Sequence, residues 1–253
     1  MKDRFDIDRS GHDYVVALAG NPNTGKSTVF NGFTGLRQHT GNWPGKTVTR
    51  AEGTLRYDGK RYKLIDLPGT YSLIADGTDE QIARDFVLFG AADCIVIVVD
   101  ATNVERNLAL TLQILEVTGR VVIALNLVDE AQRRGITVDA ARLSQELKVP
   151  VVPTVARDKQ GLIELAAAIA DVCSGKANAP LRRRTLEPEL EAAVGELERM
   201  VEAIAPGVPN ARWIALRLLD GDESVKAGIE SGAFAETPAP VLEAAGQPSE
   251  ATR

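Results

Sequence analysis

A short loop bounded by two glycines, GNPNTGKS at residues 20–27, constrains this chain more than any other feature and fits the pattern G-x-x-x-x-G-K-[ST]. The apolar run Tyr14–Ala19 precedes the loop and predicts a buried strand, and a helical pattern follows it. Gly20 and Gly25 permit backbone angles that other residues avoid, so the loop can turn its N–H groups inward around a phosphate. The positive end of the following helix favours the same anion. This order of strand, loop and helix predicts a P-loop fold.

The loop also carries a cation and hydroxyl groups. Lys26 would place its charge between the outer phosphates of a nucleotide, and the Ser27 hydroxyl can ligate Mg²⁺, a hard cation that prefers oxygen. A glycine-rich turn with a chance lysine is the alternative, which the strand-loop-helix context disfavours. The expected nucleotide contacts are Asn21, Pro22, Asn23, Thr24, Gly25, Lys26, Ser27 and Thr28.

Composition narrows the class of protein. The 253 residues are 44% hydrophobic and 25% charged, as is ordinary for a soluble globular protein of one large or two smaller domains. The net charge of −6 argues against a dedicated nucleic-acid binder, and we interpret the arginine cluster Arg182–Arg184 as a solvated linker. An RNA or lipid-headgroup contact there stays open. The two cysteines suggest no disulfide framework, and no apolar run is long enough to predict a membrane span.

Strands and helices alternate between Tyr14 and Ser174, which predicts an α/β fold with a mostly parallel sheet covered by helices on both sides. Residues 47–66 instead predict a hairpin around an Asp58–Gly59 turn, and hence one antiparallel edge strand. Cys94 lies in a continuously apolar run, so we expect it in the core. The predicted strands are 14–19, 47–57, 61–66, 94–100, 120–126 and 150–155, and the predicted helices are 26–34, 80–89, 104–118, 138–147 and 161–173.

Beyond Ser174 the sequence predicts helices only. One apolar stripe runs from Leu190 to Ile204, Asn210 can cap a second helix that carries Trp213, and a third helix is predicted from Glu223 to Glu230. The predicted organisation is a leader at 1–12, a nucleotide-binding domain at 13–175, a linker at 176–185, a helical domain at 186–231 and a weakly ordered tail at 232–253.

Two further motifs, each after a predicted strand, identify the nucleotide. In D-x-x-G at 66–69, the Asp66 carboxylate can hold magnesium through water, and the Gly69 N–H can bond a γ-phosphate. The second motif is N-L-V-D at residues 126–129. Its Asp129 can accept hydrogen bonds from both N1–H and the exocyclic amine of guanine, whereas adenine offers no such pair of donors. Each tetrapeptide alone fits an ordinary turn equally well, but the three motifs in order predict GTP. The expected contacts from these motifs are Asp66, Leu67, Pro68, Gly69, Asn126, Leu127 and Asp129.

Three stretches, GNPNTGKSTVFN, GNWPGKTVTRAEG (41–53) and DLPGTYSL (66–73), resemble the cytosolic N-terminal GTPase region of the ferrous iron transport protein B (FeoB) family. The resemblance covers residues 14–175, and the helical remainder resembles the family's helical, GDI-like spacer by position and pattern only. It implies a Ras-like G domain that regulates Fe²⁺ uptake at the cytoplasmic face of the bacterial inner membrane. It also implies that this chain is a fragment, with a transmembrane permease region following it.

Carried over by position, the resemblance makes Thr47 the switch threonine that contacts the γ-phosphate and ligates Mg²⁺ beside Ser27 and Asp66. Asn23 would mark potassium-activated relatives, and the backbone carbonyls of Gly41 and Trp43 would complete the K⁺ site. Residues 37–49 would form the first switch and 66–80 the second. The expected catalytic residues are Lys26, Thr47, Gly69 and Asn23, and the further nucleotide contacts are Gly45, Lys46, Thr47, Val155, Ala156 and Arg157.

Several positions depart from the pattern of such GTPases. Lys46 replaces an apolar residue, and we interpret it as solvated. Ala156 replaces the serine whose hydroxyl steadies the guanine-contacting loop, in which the N–H of Ala156 or Arg157 would reach the guanine O6. Thr70 replaces a water-orienting glutamine, and no arginine finger is evident, although Arg37 lies near the first switch. We therefore expect hydrolysis well below about 10 per second.

Two other functions stay open. One is a soluble GTPase of ribosome assembly or tRNA modification, which the acidic balance and the G-N-W-P-G stretch disfavour. The other is a nucleotide-dependent docking module, which measured hydrolysis would exclude. The expected partners are GTP and GDP, the cofactors Mg²⁺ and K⁺, and small cytosolic Feo accessory proteins, with no nucleic acid; a homo-oligomer stays open. We interpret His12 and His39 as surface residues rather than ligands.

Overall fold

One mixed β-sheet runs through the residues that the computed structural model describes, which are 5–35, 38–74, 77–90, 92–232 and 234. Its strands are β1 (Tyr14–Gly20), β2 (Gln38–Asn42), β3 (Thr49–Tyr57), β4 (Lys60–Asp66), β5 (Cys94–Asp100), β6 (Val121–Asn126) and β7 (Val151–Pro153). They lie in the order β2-β3-β4-β1-β5-β6-β7. β3 is antiparallel to both of its neighbours, and the other pairings are parallel. The predicted fold class, a mostly parallel P-loop sheet followed by helices, is confirmed.

The helices include every one that the sequence predicted, with ends shifted by at most two residues. They are α1 (Lys26–Thr34), α2 (Thr78–Phe89), α3 (Val104–Val117), α4 (Val128–Arg133), α5 (Ala140–Leu147), α6 (Leu162–Cys173), α7 (Pro188–Ile204), α8 (Ala211–Leu219) and α9 (Glu223–Glu230), with a 3-10 turn at Ala156–Asp158. The short helix α4 and the 3-10 turn were not predicted. In the described part of the chain, no helix is both long enough and apolar enough to cross a bilayer.

The predicted hairpin joins β3 to β4. Asp58 and Gly59 have φ of 48° and 71°, and their flanking residues Tyr57 and Lys60 pair, so this is a two-residue turn of the kind that matches the twist of the strands. The antiparallel strand β3 does not lie at the edge of the sheet, however, because β2 pairs along its outer side. The sequence of β2, QHTGN, lacks the alternation of apolar and polar residues that identifies a strand.

Helices cover both faces of the sheet, which explains the uninterrupted apolar runs of its central strands. Along β5, Ile95 and Ile97 pack into the core on the side of α2 and α3, whereas Cys94 and Val96 pack into the core on the side of α1 and α6. Cys94 is fully buried, as the sequence predicted, and burial raises the pKa of its thiol. Both cysteines are free thiols.

The helical region makes hydrogen bonds to the helix α2 of the sheet region. Asn210 Nδ2 donates to the carbonyl of Leu88 at 2.8 Å, and Arg84 Nη1 donates to the Ser224 hydroxyl at 2.7 Å. Asn210 does occupy the N-cap position of α8, but its side chain makes this contact with α2 rather than a cap bond. Apolar residues of the helical region join the core on the α2 side of the sheet: Val201, Ala205, Trp213, Ile214, Val225 and Phe234.

The segment between the two regions is held through its backbone. The Ala179 N–H donates to the Gly119 carbonyl, and the Arg182 N–H donates to the Leu115 carbonyl at the end of α3, both at 3.0 Å. The arginine side chains themselves are exposed, and Arg184 pairs with Glu116 at 3.1 Å. The cluster is therefore solvated at its side chains, as interpreted from the sequence, while its main chain is fixed along α3.

We expect a chain truncated after Ser174 to keep its sheet but lose stability. α1, α2, α3 and α6 would still cover both faces of the sheet, but α2 would lose its apolar and hydrogen-bonded contacts with the helical region. Each kcal/mol lost lowers Tm by about 2–4 °C for a domain of this size. Far-UV circular dichroism and thermal unfolding of the truncated and full chains would measure both effects. Loss of the strand signal at low temperature would show that the boundary near Ser174 is wrong.

Candidate nucleotide-binding site

The predicted phosphate loop joins β1 to α1 and is braced by its own side chains. The Thr24 hydroxyl donates to the Asn21 carbonyl at 3.0 Å, and both side chains are buried. Asn23 and Gly25 have φ of 68° and 84°, left-handed conformations that few residues adopt easily. A Cβ atom on Gly25 would lie only 2.3 Å from Nδ2 of Asn126, so the position also needs glycine for space.

The carboxylate of Asp66, at the end of β4, meets both the cation and a hydroxyl of this loop. Lys26 Nζ forms an ion pair with its Oδ1, and Ser27 Oγ donates to its Oδ2 at 3.3 Å. The sheet sets this meeting, because Asp66 is aligned with Leu18 in the neighbouring strand β1. A hydroxyl and a carboxylate side by side are the oxygen donors that Mg²⁺ prefers, so the residues present fit that ion.

The D-x-x-G turn lies directly against the phosphate loop. The Thr70 N–H donates to the Gly20 carbonyl at 3.2 Å, and a Cβ atom added to Gly69 would lie 3.4 Å from Pro22. Leu67 between them is buried in the core. The structure therefore brings 66–69 and the phosphate loop together, as the motif order predicted.

Beyond Gly69 the chain is fixed to α3. The buried Thr70 hydroxyl donates to the Ser72 carbonyl at 2.6 Å, so it is engaged within the turn. The side-chain oxygen of Gln113 accepts bonds from the Ser72 hydroxyl at 3.1 Å and from the Leu73 N–H at 2.7 Å. Gln113 was not predicted, because it lies on a regular helix about 40 residues away from the residues that it contacts.

The side chain of Asn126, at the end of β6, connects the phosphate loop to the predicted base-contacting loop. Its Nδ2 donates to the Thr24 carbonyl at 3.0 Å. Its Oδ1 accepts the Thr154 hydroxyl and the Ala156 N–H, each at 3.1 Å. The N–H of Ala156 is thus used by Asn126, which favours Arg157 as the donor to the guanine O6.

Asp129, the predicted guanine-reading residue, follows Asn126 at the start of α4. Arg133 and Arg157 both pair with its Oδ2, while its Oδ1 is buried and accepts no hydrogen bond from any described residue. Burial opposes ionisation of this carboxyl group, but the hydrogen bond from Arg133 and the charge of Arg157 outweigh it, so the pKa of Asp129 lies below its usual value. The carboxylate is therefore ionised at neutral pH, as a double acceptor for guanine must be.

The loop around Ala156 is held without a serine hydroxyl. Val155 and Gln160 exchange two backbone hydrogen bonds at 3.1 and 3.2 Å, and the Thr154 hydroxyl bonds Asn126 as described. The contribution of Thr154 was not predicted, because its hydrogen bond is to Asn126, which lies 28 positions away in the sequence.

The first-switch residues are not assembled with the phosphate loop. Gly41 pairs with Arg50 in the sheet, the buried Trp43 accepts the Lys46 N–H at its carbonyl, and Thr47 is exposed. Among the described residues, Thr47 makes no hydrogen bond to residues 20–27. Pairing of β2 with β3 holds this segment at the sheet edge. Gly45 and Lys46 are exposed in the same loop, and Arg37 lies outside the described residues.

Two other features lie apart from the site. A cavity of about 810 Å³ between the end of α1 and β3 is lined by His12 and His39 but by none of the predicted site residues. His12 bonds the Thr54 hydroxyl at 2.9 Å. Within the described part of the chain, no group of three or more His, Cys, Asp or Glu side chains is arranged to hold a metal ion.

Two family models match this chain. The model described as ferrous iron transport protein B matches residues 14–169, which is more than half of the sequence. A second model, described as the FeoB cytosolic helical domain, matches residues 187–247. The two matches correspond to the sheet region and the helical region.

Full-length relatives share this sequence over a limited part of their length. The Fe(2+) transporter FeoB of Salmonella typhimurium is 42% identical over 214 residues, which are 82% of this chain and 27% of the relative. The Fe(2+) transport protein A/Fe(2+) transporter FeoB fusion protein of Porphyromonas gingivalis is 40% identical over 227 residues, which are 87% of this chain and again 27% of the relative. The chain therefore spans little more than a quarter of the length of these relatives.

The fold also matches solved structures along most of its length. The crystal structure of the cytosolic domain of the T. maritima FeoB iron transporter in a GDP form matches with a TM-score of 0.77 and 38% identity. The match covers 90% of this chain and 87% of that one. Sequence, site and fold agree, and the chain belongs to the ferrous iron transport protein B family.

Proposed function

We propose that this chain is the GTP-binding and slowly GTP-hydrolysing regulatory domain of a prokaryotic Fe²⁺ membrane transporter. The observation that carries the proposal is the triple connection made by Asn126. It ties the phosphate loop, through Thr24, to the base-contacting loop, through Thr154 and Ala156. The unpartnered Oδ1 of Asp129 follows three residues later. This arrangement supports one ligand with phosphates at one end and guanine at the other.

In this proposal, the chain's own groups bind and orient GTP. Lys26 exchanges its Asp66 partner for the phosphates, and the N–H groups of the phosphate loop surround them. Ser27 and, through water, Asp66 would hold Mg²⁺, which neutralises charge on the β- and γ-phosphates when bound. Thr47 can join them only after the loop between β2 and β3 opens, since that loop now keeps it at the surface.

Slow hydrolysis follows from the residues around the γ-phosphate position. The Thr70 hydroxyl is engaged by the Ser72 carbonyl, and a threonine is in any case too short to orient water as glutamine does. The Gly69 N–H beside Pro22 remains as a donor toward the γ-phosphate. A slow reaction suits a switch, whose nucleotide state must last long enough to be sensed, better than a metabolic catalyst.

The relatives suggest the wider setting. Both curated relatives are named as Fe(2+) transporters, and the P. gingivalis relative is a fusion with Fe(2+) transport protein A. They support a place for this domain at the cytoplasmic face of the bacterial inner membrane, with a permease region and a small Feo accessory protein as partners. The two family-model matches support the proposed division into a G domain at 13–175 and a helical domain at 186–231.

Replacing Asp129 with asparagine should change base specificity from guanine toward xanthine. The variant amide offers one acceptor and one donor, which matches the xanthine edge better than the guanine edge. Competition of GTP, XTP and ATP against a fluorescent nucleotide would measure the change. Asp139→Asn is the matched control, because asparagine caps α5 as well as aspartate does. If ATP displaced the fluorescent nucleotide from the wild type as strongly as GTP does, the guanine assignment would be wrong.

Hydrolysis should be faster in KCl than in NaCl at equal ionic strength. Asn23 is placed in the phosphate loop, and opening of the first switch would free the Trp43 carbonyl from the Lys46 N–H, giving K⁺ its expected oxygen donors. Phosphate release measured in the two salts tests this. Asn23→Gly keeps the left-handed backbone but removes the amide, so it should abolish the difference between salts. Equal wild-type rates in both salts would contradict the potassium site.

GDP release should be slower from Ala156→Ser and faster from Thr154→Val. The serine hydroxyl adds a hydrogen bond to the base-contacting loop, whereas valine removes the bond to Asn126. One hydrogen bond of this kind corresponds to about a two- to tenfold change, mostly in the off-rate. Stopped-flow release of a fluorescent GDP measures both variants. Unchanged or faster release from the serine variant would mean that the Val155–Gln160 pairing already holds the loop fully.

A further inference from the structure

The segment ahead of β1, Phe5–Ser10, packs against the first switch. Phe5 and Ile7 are 6% and 8% exposed, so this segment contributes to the core. The Phe5 ring meets the Trp43 ring edge to face, with centroids 6.2 Å apart, and lies 5.0 Å from the ring of Phe86 in α2. Trp43 and Phe86 contact each other at 5.7 Å. Three rings from the leading segment, the first switch and α2 thus form one aromatic cluster.

Two cationic side chains of the sheet donate hydrogen bonds to backbone carbonyls of the same segment. Arg50 of β3 donates from Nη1 to the Phe5 carbonyl at 2.6 Å, and its guanidinium lies 5.5 Å from the centre of the Trp43 ring. Lys63 of β4 donates to the Asp8 carbonyl at 2.7 Å. Both cations also pair with Glu52, at 2.9 and 2.7 Å. Hydrogen bonds and ion pairs therefore reinforce the apolar contact between Phe5 and Trp43.

Trp43 in turn determines the shape of the loop between β2 and β3. Trp43 is only 2% exposed, its backbone N–H donates to the Val48 carbonyl at 3.0 Å, and its backbone carbonyl accepts the Lys46 N–H at 3.0 Å. These bonds close the loop and leave Thr47 at the surface. Any rearrangement of this loop that displaces Trp43 would break these bonds and the ring contacts with Phe5 and Phe86.

We infer that Phe5 and Arg50 are positioning residues that act through Trp43 to hold the first switch closed, and that they thereby favour GDP over GTP. The inference rests on the proposed function, because it requires Thr47 to contact GTP but not GDP. A ligand shifts a conformational equilibrium only by its difference in affinity for the two states, so GTP loses affinity by whatever the closed state gains from Phe5. The leading segment lies outside the region matched by the family model, which begins at residue 14.

The test uses Phe5→Leu in the full chain, since leucine keeps apolar bulk and removes the ring. From the energy of an aromatic pair, we expect Phe5→Leu to gain about two- to twelvefold in affinity for a non-hydrolysable GTP analogue relative to GDP. Acrylamide quenching of Trp43 supplies an independent readout. Trp213→Phe as the background leaves Trp43 as the sole tryptophan of the chain. We expect Trp43 to be more accessible to acrylamide in Phe5→Leu than in the wild type. Phe5→Tyr keeps the ring, so we expect it to behave as the wild type.

Phe234→Leu is the matched control. It also removes a buried ring that stacks on α2, but against Phe89 at 4.8 Å rather than against Phe86, the α2 residue whose ring contacts Trp43. An equal change in the nucleotide ratio from both leucine variants, or a Trp43 that stays protected in Phe5→Leu, would overturn the inference. Failure of the wild type to bind guanine nucleotides would instead refute the proposed function, so the two failures are distinguishable.

Discussion

The site depends above all on one buried amide, that of Asn126. Its three hydrogen bonds join Thr24 in the phosphate loop to Thr154 and Ala156 in the base-contacting loop. Replacement by an apolar side chain would remove the partner of the Thr24 carbonyl and of the Ala156 N–H, and it would leave the Thr154 hydroxyl only a longer contact with the Leu125 carbonyl at 3.5 Å. Buried polar groups that lose their partners cost more than the net strength of one hydrogen bond. The same amide occupies the space where a side chain on residue 25 would lie. Asn126 can therefore hold this position only when residue 25 is glycine.

The groups inside the sheet and the first switch at its edge differ in how firmly the fold holds them in place. The phosphate loop, Asp66 and Asn126 lie at the carboxyl ends of strands inside the sheet, where helices cover both faces and the groups are already in place. The first switch lies at the sheet edge, beyond the antiparallel strand β3, and the buried Trp43 anchors it in the core, with the partly buried Val48 packed beside that core. In the proposed function, the nucleotide-binding groups of the sheet interior are thus preformed, whereas Thr47 would depend on release of the first switch.

Local signals predicted most of the fold. The Asp58–Gly59 turn, the apolar run of β5 and the phosphate loop each carry their information within a few residues, so one sequence sufficed to predict them. The strand β2 exists only because β3 pairs with it, and its residues have no strand pattern of their own. The contacts of Phe5 with Trp43, Gln113 with the second switch and Thr154 with Asn126 join residues 28 to 41 positions apart. Such contacts depend on the folded topology and have no local signature.

The helix α2 receives aromatic rings from distant parts of the chain at neighbouring positions. Phe5 packs on Phe86, and Phe234 stacks on Phe89. Three residues of helix advance about 4.5 Å along its axis and return to nearly the same side. Sliding α2 by one residue would carry both phenylalanines about 1.5 Å along and 100° around the axis, away from both partners at once. Both ring contacts therefore oppose a shift of α2 in register, and they connect the helix that follows the second switch to the leading segment and to the helical region.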